Sequence, residues 1–206
     1  MQRLIANIVS VLLHPLLMPT LATVLFFYVD KYAYGHITNK GLYLLIIFIN
    51  SFFFPFVCIN LMRVLGFIKS LKMEDKQERT LPFIATMIFY IWTFMIVKNK
   101  LNLPASYVLF TLGALVSLCL SFVVNIFHKT SIHMVAISGL FFAVVLQLFS
   151  TTAQWNYPFA IILILCGLIA SSRLYLRAHT PKQVYTGFLI GIIGQISAVF
   201  IANFLW

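Results

Sequence analysis

The sequence predicts an all-α membrane protein, a polytopic bundle of six to seven transmembrane helices. Of the 206 residues, 62% are hydrophobic and only 9% are charged, whereas soluble domains carry about 25% charged residues. Apolar runs of about 20 residues recur along the chain, and each is long enough to cross a hydrocarbon core of roughly 30 Å as a helix. No stretch alternates apolar and polar residues as a membrane β-barrel strand requires. We therefore expect one integral membrane domain over residues 1–206.

Seven apolar segments define the predicted spans. They cover residues 4–29, 42–68, 82–98, 105–127, 132–150, 157–174 and 184–205. The first contains His14-Pro15 and Pro19, so we expect it to be kinked or partly re-entrant. The last contains Gly187 and Gly191 at a GxxxG spacing, which lets another helix approach closely.

Alternation of the loops places most of the charge on one face of the bilayer, the basic face. This face comprises the N-terminus and residues 69–81, 128–131 and 175–183. Counting span ends, its basic residues are Arg3, Arg63, Lys69, Lys72, Lys76, Arg79, Lys129, Arg173, Arg177 and Lys182. The opposite face has Lys31, Lys40, Lys98 and Lys100. Basic residues in short loops between spans bind lipid headgroups or an anionic group, so we expect no nucleic-acid partner despite the net charge of +10.

The scarcity of carboxylates excludes several chemistries. The chain has four acidic residues, and three of them, Glu74, Asp75 and Glu78, lie within the basic segment 69–81. A two-metal hydrolase surrounds its ions with several carboxylates, and a carboxylate-pair site needs two in one cleft. We therefore expect no metal and no cofactor. The groups left for chemistry on the basic face are those of Lys, Arg, His, Ser and amide side chains.

Two of the three loops on the basic face have simple structural explanations when each is taken alone. Lys72 and Arg79 are seven residues apart, about two helical turns, and a solvated helix beside the membrane would account for both. Thr130 or Ser131 could cap the helix that follows. His133 would then be an ordinary histidine at the membrane interface.

The third loop contains one residue that local structure does not explain. The segment Thr180–Gln183 has the sequence of a capping box with proline at the first helical position. Arg173 precedes it, near the end of an apolar span. An ionisable group at that depth indicates function, unless its side chain snorkels to the interface.

The three loops can converge, because each is separated from the next by two spans. Convergence would assemble His133, His179, Lys72, Arg79, Arg173 and Ser131 at helix ends. Helix ends, guanidinium groups and ammonium groups bind anions, and phosphate is their natural ligand. The sequence therefore predicts an oxyanion site that contains a nucleophile.

In order and spacing, these loops resemble the motifs of the type 2 phosphatidic acid phosphatase superfamily, whose fold is shared with vanadium haloperoxidases. The family pattern is K-x6-R-P, then P-S-G-H, then S-R-x5-H-x3-D. This chain has Lys72-x6-Arg79-Thr80, then Thr130-Ser131-Ile132-His133, then Ser172-Arg173-x5-His179-x3-Gln183. The resemblance covers roughly residues 65–206 and leaves residues 1–64 as additional N-terminal spans.

Four positions depart from the family pattern. Thr80 and Thr130 replace proline, Ile132 replaces glycine and Gln183 replaces aspartate. A β-branched residue resists backbone conformations that glycine adopts, so Ile132 could alter the loop beside the phosphate. Gln183 weakens electrostatic support for His179, but an amide oxygen can still accept the imidazole N–H and fix its tautomer. The dolichyl-diphosphatase and glucose-6-phosphatase branches resemble this chain in carrying glutamine at this position.

The resemblance implies a metal-independent phosphatase that acts on a lipid phosphate or an isoprenyl diphosphate. His179 would attack phosphorus and form a phosphohistidine, with Gln183 supporting its ring. His133 would protonate the leaving oxygen and then activate water. The phosphate oxygens would be bound by Lys72, Arg79, Arg173 and Ser131.

Two alternatives stay open. One is a weakly active or inactive homologue that binds lipid phosphate. The other is a small transporter or membrane assembly protein whose basic face contacts anionic lipid, in which His133 and His179 would be dispensable. His14 could serve a transport pathway, although a lone intramembrane histidine is more often a packing residue.

The expected partners are the membrane and a phosphorylated lipid, and a homo-oligomer stays open. We expect the site to lie at the interface of a bacterial inner membrane. The count of ten basic residues against four would place the basic face in the cytoplasm. The family resemblance favours an extracytoplasmic site, and we lean towards the latter because Lys72, Arg79 and Arg173 would be required by catalysis rather than by topology.

Overall fold

The fold is a bundle of helices, seen in a computed structural model that describes residues 2–70 and 77–205. Seven helical stretches within those ranges are long and apolar enough to cross a membrane. They cover Arg3–Val29, Lys40–Val64, Gln77–Asn99, Ala105–Phe127, Ile132–Ser150, Asn156–Tyr175 and Pro181–Phe204. No strand occurs in the part of the chain described. The predicted all-α bundle is therefore confirmed with seven spans, and the protein is an integral membrane protein.

The first two spans are each assembled from several helical pieces. The first consists of α1 (Gln2–Leu12), a 3₁₀ turn (Pro15–Leu17) and α2 (Met18–Val29). The second consists of α3 (Lys40–Phe48), a π-helical turn (Ile49–Phe53) and α4 (Phe54–Val64). Pro15 lacks an N–H and His14 before it has an extended backbone, with φ −64° and ψ 137°. The helix is thus broken at His14-Pro15, where a kink was expected, and the stretch Arg3–Val29 is still long and apolar enough to cross a membrane.

The other five spans are single helices. They are α5 (Thr80–Asn99), α6 (Ala105–Phe127), α7 (Ile132–Ser150), α8 (Asn156–Tyr175) and α9 (Pro181–Leu205), with a 3₁₀ turn at Gln77–Arg79 before α5. Large apolar side chains such as Trp92, Ile164 and Phe200 are exposed on the outside of the bundle. That surface suits contact with lipid rather than water.

Glycines of α9 allow α6 and α7 to approach its backbone. A Cβ on Gly187 would lie 2.6 Å from the carbonyl oxygen of Ser131. A Cβ on Gly191 would overlap the carbonyl oxygen of Val135 in α7. The close helix approach predicted from the GxxxG spacing is therefore confirmed. It also holds the start of α7, with Ser131 before it, against the first turns of α9.

Aromatic side chains pack the end of the bundle remote from the basic face. Phe26 is fully buried there, with ring centroids of Trp155 at 5.1 Å, Tyr107 at 5.6 Å and Tyr34 at 6.1 Å. Edge-on aromatic pairs of this kind add stability beyond the area that they bury. The candidate site lies towards the opposite end, where α7 and α9 begin and α8 ends.

Candidate functional site

A cavity of about 760 Å³ lies between the first span and helices α4 to α9. Four of the predicted site residues line it, namely Arg79, His133, Arg173 and His179. Three further cationic side chains in its wall are Arg3, Lys129 and Arg177. None of the lining residues described is a carboxylate. A cavity lined by cations and by no described carboxylate favours an anionic ligand.

His179 lies between α8 and α9, and its side chain is only 8% exposed. Its Nδ1 is 3.0 Å from Oε1 of Gln183, and the backbone N–H of Thr180 donates to the same oxygen at 3.3 Å. A backbone N–H can only donate, so the Gln183 atom at this point is the acceptor oxygen. Nδ1 of His179 must then carry the ring proton, which leaves the lone pair on Nε2.

The start of α9 is the capping box that the sequence predicts. The hydroxyl of Thr180 accepts from the backbone N–H of Gln183 at 3.4 Å, and the Gln183 side chain returns to the N–H of Thr180. Pro181 is the first residue of the helix, where its missing N–H costs nothing. Gln183 therefore fixes the helix end and the tautomer of His179 at once.

The environment of His179 keeps its imidazole neutral. Burial is the largest cause and lowers the pKa of His179 from 6.5 to about 4. The hydrogen bond with Gln183 opposes this effect, whereas the positive charges of Arg173, Arg79 and Lys129 lower the pKa further. At neutral pH the Nε2 of His179 is therefore unprotonated, which is the state that a histidine nucleophile requires.

The loops 128–131 and 175–183 meet beside His179. Arg79, from the described end of the loop 69–81, contacts the first of them. The guanidinium Nη1 of Arg79 donates to the carbonyl oxygen of Thr130 at 3.2 Å. The backbone N–H of Ser131 donates to the carbonyl oxygen of Gln183 at 3.2 Å. The hydroxyl of Ser131 is completely buried and has no hydrogen-bond partner among the described residues. An unsatisfied buried hydroxyl is costly, but Ser131 is not among the residues that line the cavity, unlike its neighbours Lys129 and His133.

Arg173 lies in the last turn of α8 and turns towards the bundle interior. Its Nη1 donates to the hydroxyl of Ser10 at 3.4 Å, and its Nε is buried without a partner among the described residues. The side chain lines the cavity. This orientation fits an anion-binding role better than snorkelling to the interface does.

His133 and His14 lie side by side in the cavity wall. Nε2 of His133 is 3.1 Å from the carbonyl oxygen of Ser10, an atom that only accepts, so Nε2 of the neutral ring carries the proton. The ring of His14 lies edge-on to that of His133, with 5.7 Å between centroids. His14 also packs edge-on against Phe52. His14 is therefore a packing residue, as expected, and it also lines the cavity.

Ile132, which replaces the glycine of the family pattern, has an ordinary helical position. Ile132 is the first residue of α7, and its φ is not positive; among the described residues, positive φ occurs at Asn102, Arg177 and Gly66. The backbone at Ile132 therefore does not need a glycine.

Lys72, also a predicted phosphate ligand, falls within residues 71–76, outside the described residues.

Sequence reasoning missed two contributors to the cavity. No sequence motif includes Ser10. The only signal was Pro15, because a proline there leaves nearby backbone carbonyls without a helical N–H donor. Arg177 has φ 52° and follows the end of α8, where Ala178 N–H donates to the carbonyl of Arg173 at 3.1 Å. Helices commonly end in this way with glycine in that position. At Arg177, beside the cavity, the left-handed backbone is therefore strained.

Fold and site together define an integral membrane protein with a cationic, histidine-containing cavity at one end of its helix bundle. Residues 124–204 match the family model of the PAP2 superfamily. The matched segment includes Ser131, His133, Arg173 and His179, and the match supports this superfamily, as the resemblance of the motifs implies. Neither the curated proteins nor the solved structures yield a significant match.

Proposed function

We propose that the protein is a metal-independent membrane phosphatase that hydrolyses a lipid phosphate or an isoprenyl diphosphate through a phosphohistidine. The PAP2 superfamily match suggests a phosphatase acting on lipid phosphates. The observation that carries the finer proposal is the state of His179. Its ring is neutral, its Nδ1–H is held by Gln183, and its Nε2 lone pair is free in a cationic cavity.

Binding would use the cations around His179. Arg79 and Arg173 line the cavity and would contact the phosphate oxygens. On the family motif we assign one further hydrogen bond to the hydroxyl of Ser131. Lys72 would join them from the preceding segment, as the family motif implies. Preorganised donors of this kind stabilise the charge of a phosphoryl transition state by several kcal/mol.

The reaction would take place in two steps. The first step starts from the imidazolium form of His133, which carries a proton on Nδ1 as well as on Nε2. Nε2 of His179 attacks phosphorus, the bond from phosphorus to the leaving oxygen breaks, and that oxygen takes the Nδ1 proton of His133, which becomes neutral. In the second, His133 removes a proton from water, the water oxygen attacks phosphorus, and the bond to His179 breaks to release inorganic phosphate. Gln183 would stabilise the positive ring of the phosphorylated His179 through the Nδ1–H bond.

The position of the site suits a lipid substrate. Within the cavity, Arg79, His133, Arg173 and His179 lie where spans begin or end, so a phosphate could reach His179 while its hydrocarbon tail stays in the bilayer. We propose that the whole chain, residues 1–206, acts as one domain in a bacterial inner membrane. We further propose that the basic face is extracytoplasmic. Labelling of a cysteine introduced between residues 128 and 131 with an impermeant reagent, in intact cells, tests this orientation.

The experiment is phosphate release by the detergent-purified protein from a panel of lipid phosphates and isoprenyl diphosphates, with a chelator present. We expect release that is lost in His179→Ala and Arg173→Ala. Ser150→Ala is the control, because Ser150 is exposed at the opposite end of α7 and its hydroxyl donates to the carbonyl of Leu146 in its own helix. Release from no substrate would refute the proposal, and binding without release would favour a lipid-phosphate-binding homologue instead.

A further inference from the structure

One residue of the first span, Ser10, contacts two of the proposed site residues. Its carbonyl oxygen lies 3.1 Å from Nε2 of His133, and its hydroxyl oxygen lies 3.4 Å from Nη1 of Arg173. We infer that the interrupted first span is part of the active site, and that Ser10 is a positioning residue for the acid His133 and for the phosphate ligand Arg173. This inference rests on the proposed function.

The interruption of the first span is what makes the Ser10 carbonyl available. In a continuous helix the N–H of residue 14 would donate to the carbonyl of residue 10. Here α1 ends at Leu12, and its last backbone bond among the described residues runs from Leu13 N–H to Val9. Pro15 cannot donate at all. His133 therefore takes the place of the missing helical donor to Ser10.

The bond to Ser10 determines which atom of His133 can serve the reaction. With Nε2–H directed at the carbonyl, Nδ1 is the atom left to exchange a proton with the leaving oxygen or with water. A carbonyl partner on the other ring nitrogen orients an imidazole and stabilises its protonated form. The ring of His14, held by its own bond from Leu16 N–H at 3.3 Å, limits rotation of His133 from one side.

The hydroxyl of Ser10 contacts Arg173. By accepting from Nη1 it holds the Arg173 guanidinium in the cavity wall. The remaining N–H groups, including the unpartnered Nε–H, are then free for phosphate oxygens. A guanidinium held in one orientation binds a phosphate with two parallel hydrogen bonds. Ser10 thus links the acid of the second motif to a phosphate ligand of the third.

The first test addresses the carbonyl of Ser10 through Pro15→Ala. Alanine restores an N–H at position 15 and lets α1 continue, so that the N–H of His14 competes with His133 for the Ser10 carbonyl. Pro158→Ala is the control, because Pro158 lies in the first turn of α8 at the opposite face, where an N–H is not needed. Two substrates are compared, a dialkylglyceryl phosphate and para-nitrophenyl phosphate.

The two substrates separate acid catalysis from general damage. An alkoxide needs a proton in order to leave, whereas para-nitrophenolate needs little help. We expect Pro15→Ala to lower kcat/KM for the alkyl phosphate about tenfold more than for the aryl phosphate, and Pro158→Ala to leave the ratio unchanged. Equal losses on both substrates would show a merely structural role and would overturn this part of the inference.

The second test addresses the hydroxyl and does not depend on recovering Pro15→Ala. We expect Ser10→Ala to raise KM about tenfold, the effect of one hydrogen bond to a charged group, with kcat little changed. Ser10→Thr keeps the hydroxyl and is expected to restore KM. An unchanged KM in Ser10→Ala would refute the contact with Arg173.

These outcomes distinguish the inference from the proposed function on which it rests. If the unaltered protein released no phosphate from either substrate, both would fall. If it released phosphate from both substrates while Pro15→Ala and Ser10→Ala behaved like the Pro158→Ala control, only the role of the first span would fall.

Discussion

Gln183→Glu changes the charge beside His179 while leaving the local fold in place. Glutamate serves in a capping box as well as glutamine does, so the bonds with Thr180 that begin α9 are retained. The substitution places a carboxylate where an amide oxygen now lies 3.0 Å from Nδ1. An opposite charge at that distance favours the imidazolium and raises the pKa of its neighbour by about one to three pH units.

The magnitude follows from the pKa of about 4 for His179 in the unaltered protein. At pH 5 about nine-tenths of the His179 rings are then neutral, and a fall in pH from 7 to 5 costs little of the nucleophile. A rise of about two pH units in the variant would leave about one-tenth neutral at pH 5. The rate of the variant relative to the unaltered protein should therefore fall about tenfold between pH 7 and pH 5.

The assay is kcat/KM for phosphate release across pH 4.5 to 8, expressed as the ratio of variant to unaltered protein. The ratio cancels the ionisation of the substrate and of His133, which both proteins share. Gln154→Glu is the control, since Gln154 is an exposed residue at the opposite face and the change in charge is the same. A ratio that stays flat with pH would refute the assignment of His179 as the neutral group that Gln183 supports.

Three further predictions concern stability, and each is checked by thermal or denaturant unfolding in detergent. In Gly187→Ala the added Cβ would lie 2.6 Å from the carbonyl oxygen of Ser131, so the separation of α7 from α9 should cost about 1–3 kcal/mol; an unchanged midpoint would contradict this packing. Arg177→Gly removes a side chain from a backbone with φ 52° and should stabilise the fold by about 0.5–1 kcal/mol, whereas a loss would show that the side chain is part of the packing. Because the folded protein lowers the pKa of His179 from 6.5 to about 4, the unfolded chain binds the proton more readily, and stability should fall by roughly 3 kcal/mol as the pH drops from 6.5 to 4. His179→Asn should lack this portion of the pH dependence, and the same pH dependence in both proteins would contradict it.

Sequence patterns predicted the architecture because membrane helices depend on local properties. Hydropathy and length located all seven spans, and Pro15 predicted the interruption of the first. The predicted ends of the spans were less accurate than the spans themselves. Hydropathy misses polar residues at a helix end, because they belong to the helix without being apolar. The last helix begins at Pro181 rather than at residue 184, and the second span ends at Val64 rather than at residue 68, just before Gly66 with φ 80°.

The candidate site was only partly predictable, for a physical reason. Arg173 stands out because charge is rare in apolar spans, and His179 stands out through its spacing from Arg173 in the third motif. The contribution of Ser10 depends on a backbone carbonyl, which every residue has, and on a contact across 123 positions of sequence. The strain at Arg177 likewise depends on a backbone angle that no residue pattern announces.

The most direct test of the account is the identification of the phosphorylated atom. The tautomer of His179, with its proton on Nδ1, leaves Nε2 as the nucleophile. In His133→Ala the second step lacks its base, so rapid quenching after addition of labelled para-nitrophenyl phosphate should trap the intermediate. We expect an acid-labile phosphohistidine at position 179, bonded through Nε2, when the quenched peptide is analysed by mass spectrometry and NMR. Phosphate on Nδ1, phosphate on another residue, or turnover without any covalent label would contradict it.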